Sequence, residues 1–153
     1  MAHGKAYRPC ELPGLVAAAG GQNIGLLTYF VDGPSCEIVT LDSICPWPGV
    51  GTSLIRAALN EAYRASCSRL WLITTNDSLP AHRLYQKRGF ALVAVHRDAV
   101  TAARRIKIEL ILVGHAGIPL SDEIELEILM TREGACARKA VACVTSGRRL
   151  FVI

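Results

Sequence analysis

The sequence lacks the features that mark a membrane or a secreted protein. Its longest uninterrupted apolar runs, such as Phe90–Val95, are far shorter than the roughly 20 residues that a membrane-spanning helix needs. No charged start followed by an apolar stretch and a small-residue cleavage site is visible. We therefore expect a soluble cytoplasmic domain with no membrane partner.

The cysteines show no metal-binding spacing. None of the six forms a C-x-x-C pair, and no histidine lies at a ligand spacing from any of them, which argues against a zinc site. We expect no metal, and we interpret the cysteines as reduced, mostly apolar fillers. They are Cys10, Cys36, Cys45, Cys67, Cys136 and Cys143.

Excess charge is absent from most of the chain. Residues 1–131 hold 12 Lys or Arg and 12 Asp or Glu, whereas residues 132–153 hold five basic residues and Glu133 as the only acidic one. The net charge of +4 therefore belongs to the tail. Because nucleic-acid binding normally needs a basic face on the folded domain, we expect no nucleic-acid partner.

The length of 153 residues suits one compact core, and an apolar fraction of 51% excludes a disordered chain. The first part of the chain predicts three short strands in sequence. The dipeptides Gly20-Gly21 and Asp32-Gly33 between them favour hairpin turns, so these strands should be antiparallel. The predicted strands are Gly14–Ala19, Asn23–Val31 and Cys36–Asp42.

Helices and strands alternate after the hairpins. Leu54, Ala58 and Ala62 form the apolar stripe of a helix, and Leu70–Thr75 has the pattern of a strand buried on both faces, with Trp71 in the core. The remaining predictions are a helix that ends near Arg88 with Gly89 as its left-handed cap, a strand Phe90–His96, a helix capped by Asp98, and a half-buried strand from Glu123. The order predicts an α/β (α+β layered) fold with a mixed, mostly antiparallel sheet and flanking helices.

A glycine turn opens the first predicted helix. Gly49-Val50-Gly51-Thr52 allows the backbone to come close to a ligand, and a helix N-terminus favours an anion such as a pyrophosphate. The third glycine of a dinucleotide fingerprint would fall on Leu54, and no Gly-Lys-Ser/Thr follows as in a P-loop. Taken alone, the turn is better explained as a plain tight turn.

A second motif lies about one turn before the Gly89 cap. Tyr85 lies in the middle of the predicted helix, and a strand follows at Phe90. Taken alone, Tyr85 is more often a core tyrosine with its hydroxyl at the edge. The two motifs together, over some fifty residues, form a much more specific pattern.

On these residues the chain resembles the GNAT N-acetyltransferases. The stretch from Val93 through Pro119, together with Asp122–Glu127, resembles one bacterial subgroup of uncharacterised members. The family's Q/R-x-x-G-x-G/A motif matches at Gly49 and Gly51, and its N-x-x-A-x-x-x-Y-x-x-x-G-F motif matches at Ala81, Tyr85, Gly89 and Phe90. The resemblance covers roughly residues 3–130. It implies an acyl-CoA N-acyltransferase-like fold and acetyl-CoA as co-substrate, with a primary amine of a small molecule or peptide as acceptor.

The resemblance also implies the cofactor-binding residues. This sequence departs from the family's motifs at four positions. In the first motif, the family's Gln/Arg falls on Pro46, and Pro48 lacks an N–H group. In the second motif, the family's Asn falls on Ser78, and His82 occupies a position that is more often apolar. The diphosphate would then depend on backbone amides alone. The residues implied are Gly49, Val50, Gly51, Thr52 and Ser53 for the diphosphate, Thr40 and Leu41 on the strand that pairs with the pantetheine arm, and Asn76 and Ser78.

The catalytic residues are likewise implied by the resemblance. Direct attack by an amine needs a general base, often a carboxylate acting through water, and Glu37 on the cleft-lining strand is the candidate. A solvent-facing strand carboxylate explains Glu37 equally well, and Asp42 is a weaker alternative base. Tyr85 would give a proton to the leaving thiolate. His96 and His115 have no partner that the sequence identifies and are interpreted as structural.

The resemblance predicts a GNAT-like domain over residues 1–131 that lacks the family's usual first strand and two helices. Residues 132–153 then form an appended basic tail with no sustained periodicity, which we expect to be dispensable for folding. An uncovered sheet edge should be hidden by a homodimer, by the tail, or else cause aggregation. Besides an active enzyme, two alternatives remain: a non-catalytic CoA-binding or oligomeric module, and a basic-tailed binder of unrelated fold.

Overall fold

The computed structural model describes residues 7–44, 49–105, 112–130 and 148–152. These residues belong to two compact units. The first unit comprises Arg8–Leu70 and Leu129–Ile153, and we call it the β1–β3 unit. The second comprises Trp71–Ile128 together with Met1–Tyr7, and we call it the β4–β6 unit. Pro46 and Pro48, which the resemblance places at the diphosphate turn, lie outside the described residues.

The β1–β3 unit is a mixed sheet with one helix packed on it. Its strands follow the order β3-β2-β1-β7; β1, β2 and β3 are antiparallel, whereas β7 is parallel to β1. The helix α1 packs against β1, β2 and β3. The elements are β1 (Gly14–Ala19), β2 (Gln22–Asp32), β3 (Ser35–Ser43), α1 (Val50–Arg64) and β7 (Arg148–Val152).

Glycines form both hairpin turns of this unit. Gly20 and Gly21 have φ angles of 57° and 77°, and Gly33 has a φ of 54°. Positive φ at these positions matches the twist of the flanking strands, which is why the sequence predicts these hairpins well. Leu15, Leu27 and Leu54 are completely buried between the strands and α1. Each such side chain stabilises the fold by about 1.5–3 kcal/mol relative to an exposed one.

The tail contributes a strand that the sequence does not predict. Arg148–Val152 pairs with Gly14–Ala18 in parallel register at the edge of β1. The expectation that the tail has no packed role is therefore wrong for this stretch. A five-residue strand gives almost no periodic signal by itself, and its partner is more than 100 residues away in the sequence. The boundary between residues 1–131 and 132–153 stays a prediction.

The β4–β6 unit contains the remaining elements, with strand order β5-β6-β4. Strands β5 and β6 are antiparallel, and Gly89, with a φ of 94°, ends α2 as predicted. The elements are β4 (Arg69–Thr75, which begins in the β1–β3 unit), α2 (Leu79–Lys87), β5 (Ala91–His96), α3 (Ala99–Arg104) and β6 (Glu123–Leu129). The predicted α+β class with a mixed sheet and flanking helices is confirmed.

Two strand predictions need correction. In β4, Leu70 and Leu72 are buried whereas Trp71 is only half-buried, so one face of the strand is covered more completely than the other. In β6, the carboxylates Glu123 and Glu125 are buried, although the alternating pattern predicts that they face water. Alternation along a strand fixes which residues share a face, but it does not tell which elements cover each face.

The short helix α3 follows Asp98, as predicted, but the capping is different. Asp98 has a φ of 57° and its side chain caps nothing. Its backbone N–H instead donates to the Asp122 carboxylate at 2.8 Å. None of the helices in the described part of the chain is long and apolar enough to cross a membrane.

Candidate functional site

The beginning of α1 presents a group of backbone N–H donors. Gly49 is the N-cap residue, with a φ of 97° that favours glycine, and no side chain caps the helix. The first hydrogen bond within the helix runs from the N–H of Ser53 to the carbonyl of Gly49 at 2.9 Å. The N–H groups from Gly49 to Thr52 therefore have no acceptor within the helix, and the helix dipole makes this end attractive to an anion.

The same hydrogen bond corrects one of the predicted cofactor contacts. Because the Ser53 amide already donates to Gly49, its N–H cannot serve the ligand in the way predicted from the sequence. The predicted donors that remain are the amides of Gly49, Val50, Gly51 and Thr52. Four amides in the first turn are enough to surround one phosphate group.

Close packing on Gly25 fixes the position of this helix start. A Cβ atom at Gly25 would lie 2.6 Å from Cγ1 of Val50, 3.1 Å from Cδ1 of Leu54 and 3.2 Å from the carbonyl oxygen of Asp42. Only glycine in β2 lets the first turn of α1 come so close to the strand. The sequence does not reveal the role of Gly25, because its φ is ordinary and only the contact with α1 shows it.

Strand β3 carries three of the predicted site residues. Glu37 is only 5% exposed, so the alternative of a solvent-facing carboxylate is wrong. Thr40 and Leu41 are half-buried, and the alternative base Asp42 is exposed. Glu37, Thr40, Leu41 and the turn at the start of α1 all belong to the β1–β3 unit.

The other predicted site residues, Asn76, Ser78 and Tyr85, belong to the β4–β6 unit. The Asn76 side chain donates to the carbonyl of Pro119 at 2.8 Å and accepts from the N–H groups of Ser121 and Asp122 at 3.1 Å each. Both of its polar atoms therefore hold the segment 119–122. The contact between Asn76 and the cofactor stays a prediction.

Ser78 and Tyr85 are placed by α2. Ser78 is the N-cap residue, although its side chain makes no capping hydrogen bond. Tyr85 is 7% exposed, and its ring meets that of Phe90 edge-on at a centroid distance of 5.5 Å. A buried ring packed on Phe90 is compatible with a core tyrosine as well as with a proton donor, so a functional test has to distinguish them.

Asp77, next to Asn76, is a buried carboxylate whose partners the sequence does not reveal. It is 8% exposed, accepts a hydrogen bond from the Thr75 hydroxyl at 2.5 Å and another from the His115 N–H at 2.7 Å. Burial by itself would raise the pKa of Asp77, but these hydrogen bonds and the nearby His115 outweigh it and lower the pKa below its usual value. A Cβ atom at Gly114 would collide with this carboxylate.

Two histidines have partners that the sequence does not reveal. The His82 ring lies 3.0 Å from the carbonyl oxygen of Thr75, which explains how α2 accommodates a polar residue at a usually apolar position. His96 Nε2 lies 3.0 Å from the Glu125 carboxylate. Neither pair is visible in the spacing of the sequence, and the two residues of the second are 29 positions apart.

The described cysteines are free thiols and do not form a reactive centre. They are Cys10, Cys36 and Cys67, while the other three lie outside the described residues. Burial raises the pKa of the Cys36 thiol to about 12, with Cys67, Glu37 and Glu61 acting in the same direction. Cys36 therefore stays protonated near neutral pH and is not a nucleophile. Within the described ranges, no group of three or more His, Cys, Asp or Glu residues is arranged to hold a metal ion.

The sequence matches a known protein family. The sequence model of the acetyltransferase (GNAT) family matches residues 5–90. The uncharacterized protein YdhI of Bacillus subtilis (strain 168) is 44% identical over 119 residues, which are 77% of this chain and 74% of YdhI.

Solved structures share the fold. A Bacillus subtilis acetyltransferase in complex with CoA has a TM-score of 0.65 at 23% identity, over 74% of each chain. A GNAT family acetyltransferase from Elizabethkingia anophelis with acetyl-CoA bound has a TM-score of 0.64 at 21% identity, over 72% of this chain and 71% of the other. Since the family model matches more than half of the 153 residues, the chain belongs to the acetyltransferase (GNAT) family.

Proposed function

We propose that this protein transfers the acetyl group of acetyl-CoA to a primary amine by direct attack. The observation that carries the proposal is the start of α1, where four backbone amides from Gly49 to Thr52 have no acceptor within the helix. Such a turn fits the diphosphate of CoA. Similar proteins of the same fold have CoA or acetyl-CoA bound, which supports the assignment.

The residues of β3 and α1 have separate roles in binding. The amides of Gly49, Val50, Gly51 and Thr52 hold the diphosphate, and the backbone of Thr40 and Leu41 pairs with the pantetheine arm. Packing of Val50 against Gly25 keeps the donors in place before the ligand arrives. Donors that are already positioned cost less ordering on binding than donors on a mobile loop.

Glu37 and Tyr85 are the general base and the general acid of the reaction. Acetyl-CoA supplies an activated thioester, and the acceptor must reach it as a neutral amine. Glu37 accepts the proton that the amine nitrogen loses, directly or through one water, and Tyr85 donates a proton to the departing sulfur. The products are an N-acetylated amine and CoA. Exchange with solvent then removes the proton from Glu37 and returns one to Tyr85, so that atoms and charges balance.

The burial of Cys36 supports direct transfer. A two-step route would need a protein nucleophile that carries the acetyl group, and Cys36 is kept protonated by its surroundings. Glu37, in contrast, is a carboxylate at the neighbouring position on β3, with only 5% exposure. The residues of β3 therefore favour a base over a nucleophile.

Release of free thiol from acetyl-CoA tests the proposal. We expect a panel of primary amines, including tyramine, spermidine and a lysine-containing peptide, to contain at least one that accelerates thiol release with formation of its N-acetyl product. Glu37→Gln should lower kcat by about 10²–10⁴-fold, the range of general base catalysis. Binding of acetyl-CoA without transfer to any amine would instead favour the non-catalytic CoA-binding module.

A further inference from the structure

A β-bulge in β3 brings Glu37 and Thr40 to the same face of the sheet. Thr28 pairs with Thr40, whereas the next residue of β2, Tyr29, pairs with Ile38, so Val39 is an extra residue. In a regular strand, residues three apart point to opposite faces. The extra residue cancels this difference, and Glu37 and Thr40 share a face.

The shared face is the one that points away from α1. The opposite face carries Gly25, which contacts Val50 and Leu54 of α1, and Tyr29, whose hydroxyl donates to Glu61 of α1 at 3.4 Å. Thr28 lies between these two positions of β2 and therefore faces the other way, together with its partner Thr40. The face away from α1 thus carries two hydroxyls and the proposed base.

The two threonine hydroxyls are hydrogen-bonded to each other. Their oxygen atoms are 2.8 Å apart, and either one can be the donor. Thr28 is 3% exposed and Thr40 is half-buried, so Thr40 is the more accessible member of the pair. A hydroxyl has one donor and two acceptor positions, so Thr40 can accept a further hydrogen bond while Thr28 holds its rotamer.

We propose that the Thr40 hydroxyl accepts a hydrogen bond from the acceptor amine, and that the buried Thr28 positions it. This inference rests on the proposed function. A neutral primary amine has two N–H bonds: the proton of one goes to Glu37, and the other N–H donates to Thr40. The nitrogen lone pair is then left to form the new bond to the acetyl carbon as the bond from that carbon to sulfur breaks.

The geometry assigns a substrate class. A secondary amine has a single N–H, which is the one that must be lost to Glu37, so it has nothing to donate to Thr40. The enzyme should therefore have a higher kcat/KM for a primary amine than for its N-methyl derivative, beyond the steric effect of the added methyl group. We expect Thr40 to contribute about a factor of ten to this ratio, which is the effect of one ordinary hydrogen bond.

The test uses the best primary amine of the panel and its N-methyl derivative as a pair. Thr40→Val replaces the hydroxyl by a methyl group and should reduce the preference about tenfold, through a higher KM for the primary amine. The Kd of acetyl-CoA, measured by calorimetry, separates an effect on the amine from an effect on the cofactor, because only the backbone of Thr40 is proposed to pair with the pantetheine arm. Thr28→Val should act in the same direction but less strongly, and the Thr28→Val/Thr40→Val double variant should resemble Thr40→Val alone, because both act through one hydroxyl.

A purely structural role would leave the preference between the two amines intact. Replacing both hydroxyls by methyl groups leaves no unpaired polar group, so the double variant should stay folded. If Thr40→Val does not fold, the role of the hydroxyl is tested by comparing Thr40→Ser with Thr40→Ala. Both lack the methyl group of threonine, and only serine keeps the hydroxyl. Serine should then restore the preference that alanine loses.

Two results overturn the inference, and they are distinguishable. If wild-type protein acetylates amines but Thr40→Val keeps the full preference for the primary amine, the role of Thr40 is wrong and the proposed function stands. If wild-type protein binds acetyl-CoA and acetylates no amine, the proposed function fails and this inference fails with it.

Discussion

At the residue scale, a single hydroxyl group separates the two interpretations of Tyr85. Replacement by phenylalanine keeps the ring that packs on Phe90 and removes only the proton donor. We expect Tyr85→Phe to lower kcat by about 10²–10⁴-fold with little change in the Kd of acetyl-CoA. Tyr63→Phe, at an exposed tyrosine of α1, is the matched control. An unaltered rate in Tyr85→Phe would mean that Tyr85 is a core residue only.

Asp77 makes a pH-dependent contribution to stability. Its pKa is lowered in the folded state from an ordinary value of 3.8, so the unfolded chain takes up the proton first as the pH falls. The contribution is therefore fully present above pH 3.8 and is lost as the pH falls through the lower folded value. At neutral pH, Asp77→Asn should cost about 1–3 kcal/mol of unfolding free energy.

The difference in unfolding free energy between wild type and Asp77→Asn, measured with urea, should become smaller when the pH is below the pKa of a free aspartate carboxyl. Asp98→Asn is the control, because the Asp98 side chain caps nothing and asparagine tolerates its positive φ. A difference that stays constant from neutral pH to the acid range would contradict the assigned hydrogen bonds of Asp77.

Single-residue roles were predictable from the sequence only where local backbone geometry determines them. Gly49 and Gly89 have positive φ, and a turn or cap at these positions follows from the sequence pattern. The burial of Glu37 and the partners of Asp77 depend instead on segments distant in the sequence. A strand pattern assigns Glu37 to a face, but it does not tell what covers that face.

At the element scale, the position of α1 depends on Gly25. A methyl group there would lie 2.6 Å from Val50 and must displace the first turn of the helix. We expect Gly25→Ala to destabilise the fold by about 1–3 kcal/mol, as in other overpacked cores, and to weaken acetyl-CoA binding. Gly14→Ala in β1 is the control, since its Cβ atom would make only ordinary contacts at 3.5 Å or more. Equal effects of the two substitutions would contradict the packing argument.

Hairpins and helices were predictable at this scale because their signals are local. Dipeptides with positive φ, apolar stripes and a glycine cap each act over a few residues. The bulge at Val39 was not predictable, because it is defined by the register between β2 and β3. The proposed amine site depends on that bulge, so this part of the site required the structure.

At the scale of the whole molecule, β7 protects the sheet edge next to β1. Of the three outcomes expected for that edge, the structure has the tail paired with it. A chain that ends at Gly147 should expose the N–H and C=O groups of β1 and self-associate. Light scattering at several concentrations should show a larger mass than for the full chain, with a chain lacking only Ile153 as control. Identical masses and equal stability would mean that β7 is dispensable, as the sequence alone suggests.

A homodimer of the full chain stays a prediction, which the same measurement tests.

The central claim is that the start of α1 binds acetyl-CoA, and calorimetry of Gly51→Asp tests it most directly. A carboxylate in the first turn is favourable for the helix, so the fold should be kept while the diphosphate is repelled. Gly51→Asn has a side chain of the same size without the charge and should weaken binding less. We expect saturable binding of acetyl-CoA to wild-type protein and a large loss of affinity in Gly51→Asp. Undiminished affinity in Gly51→Asp would contradict the account.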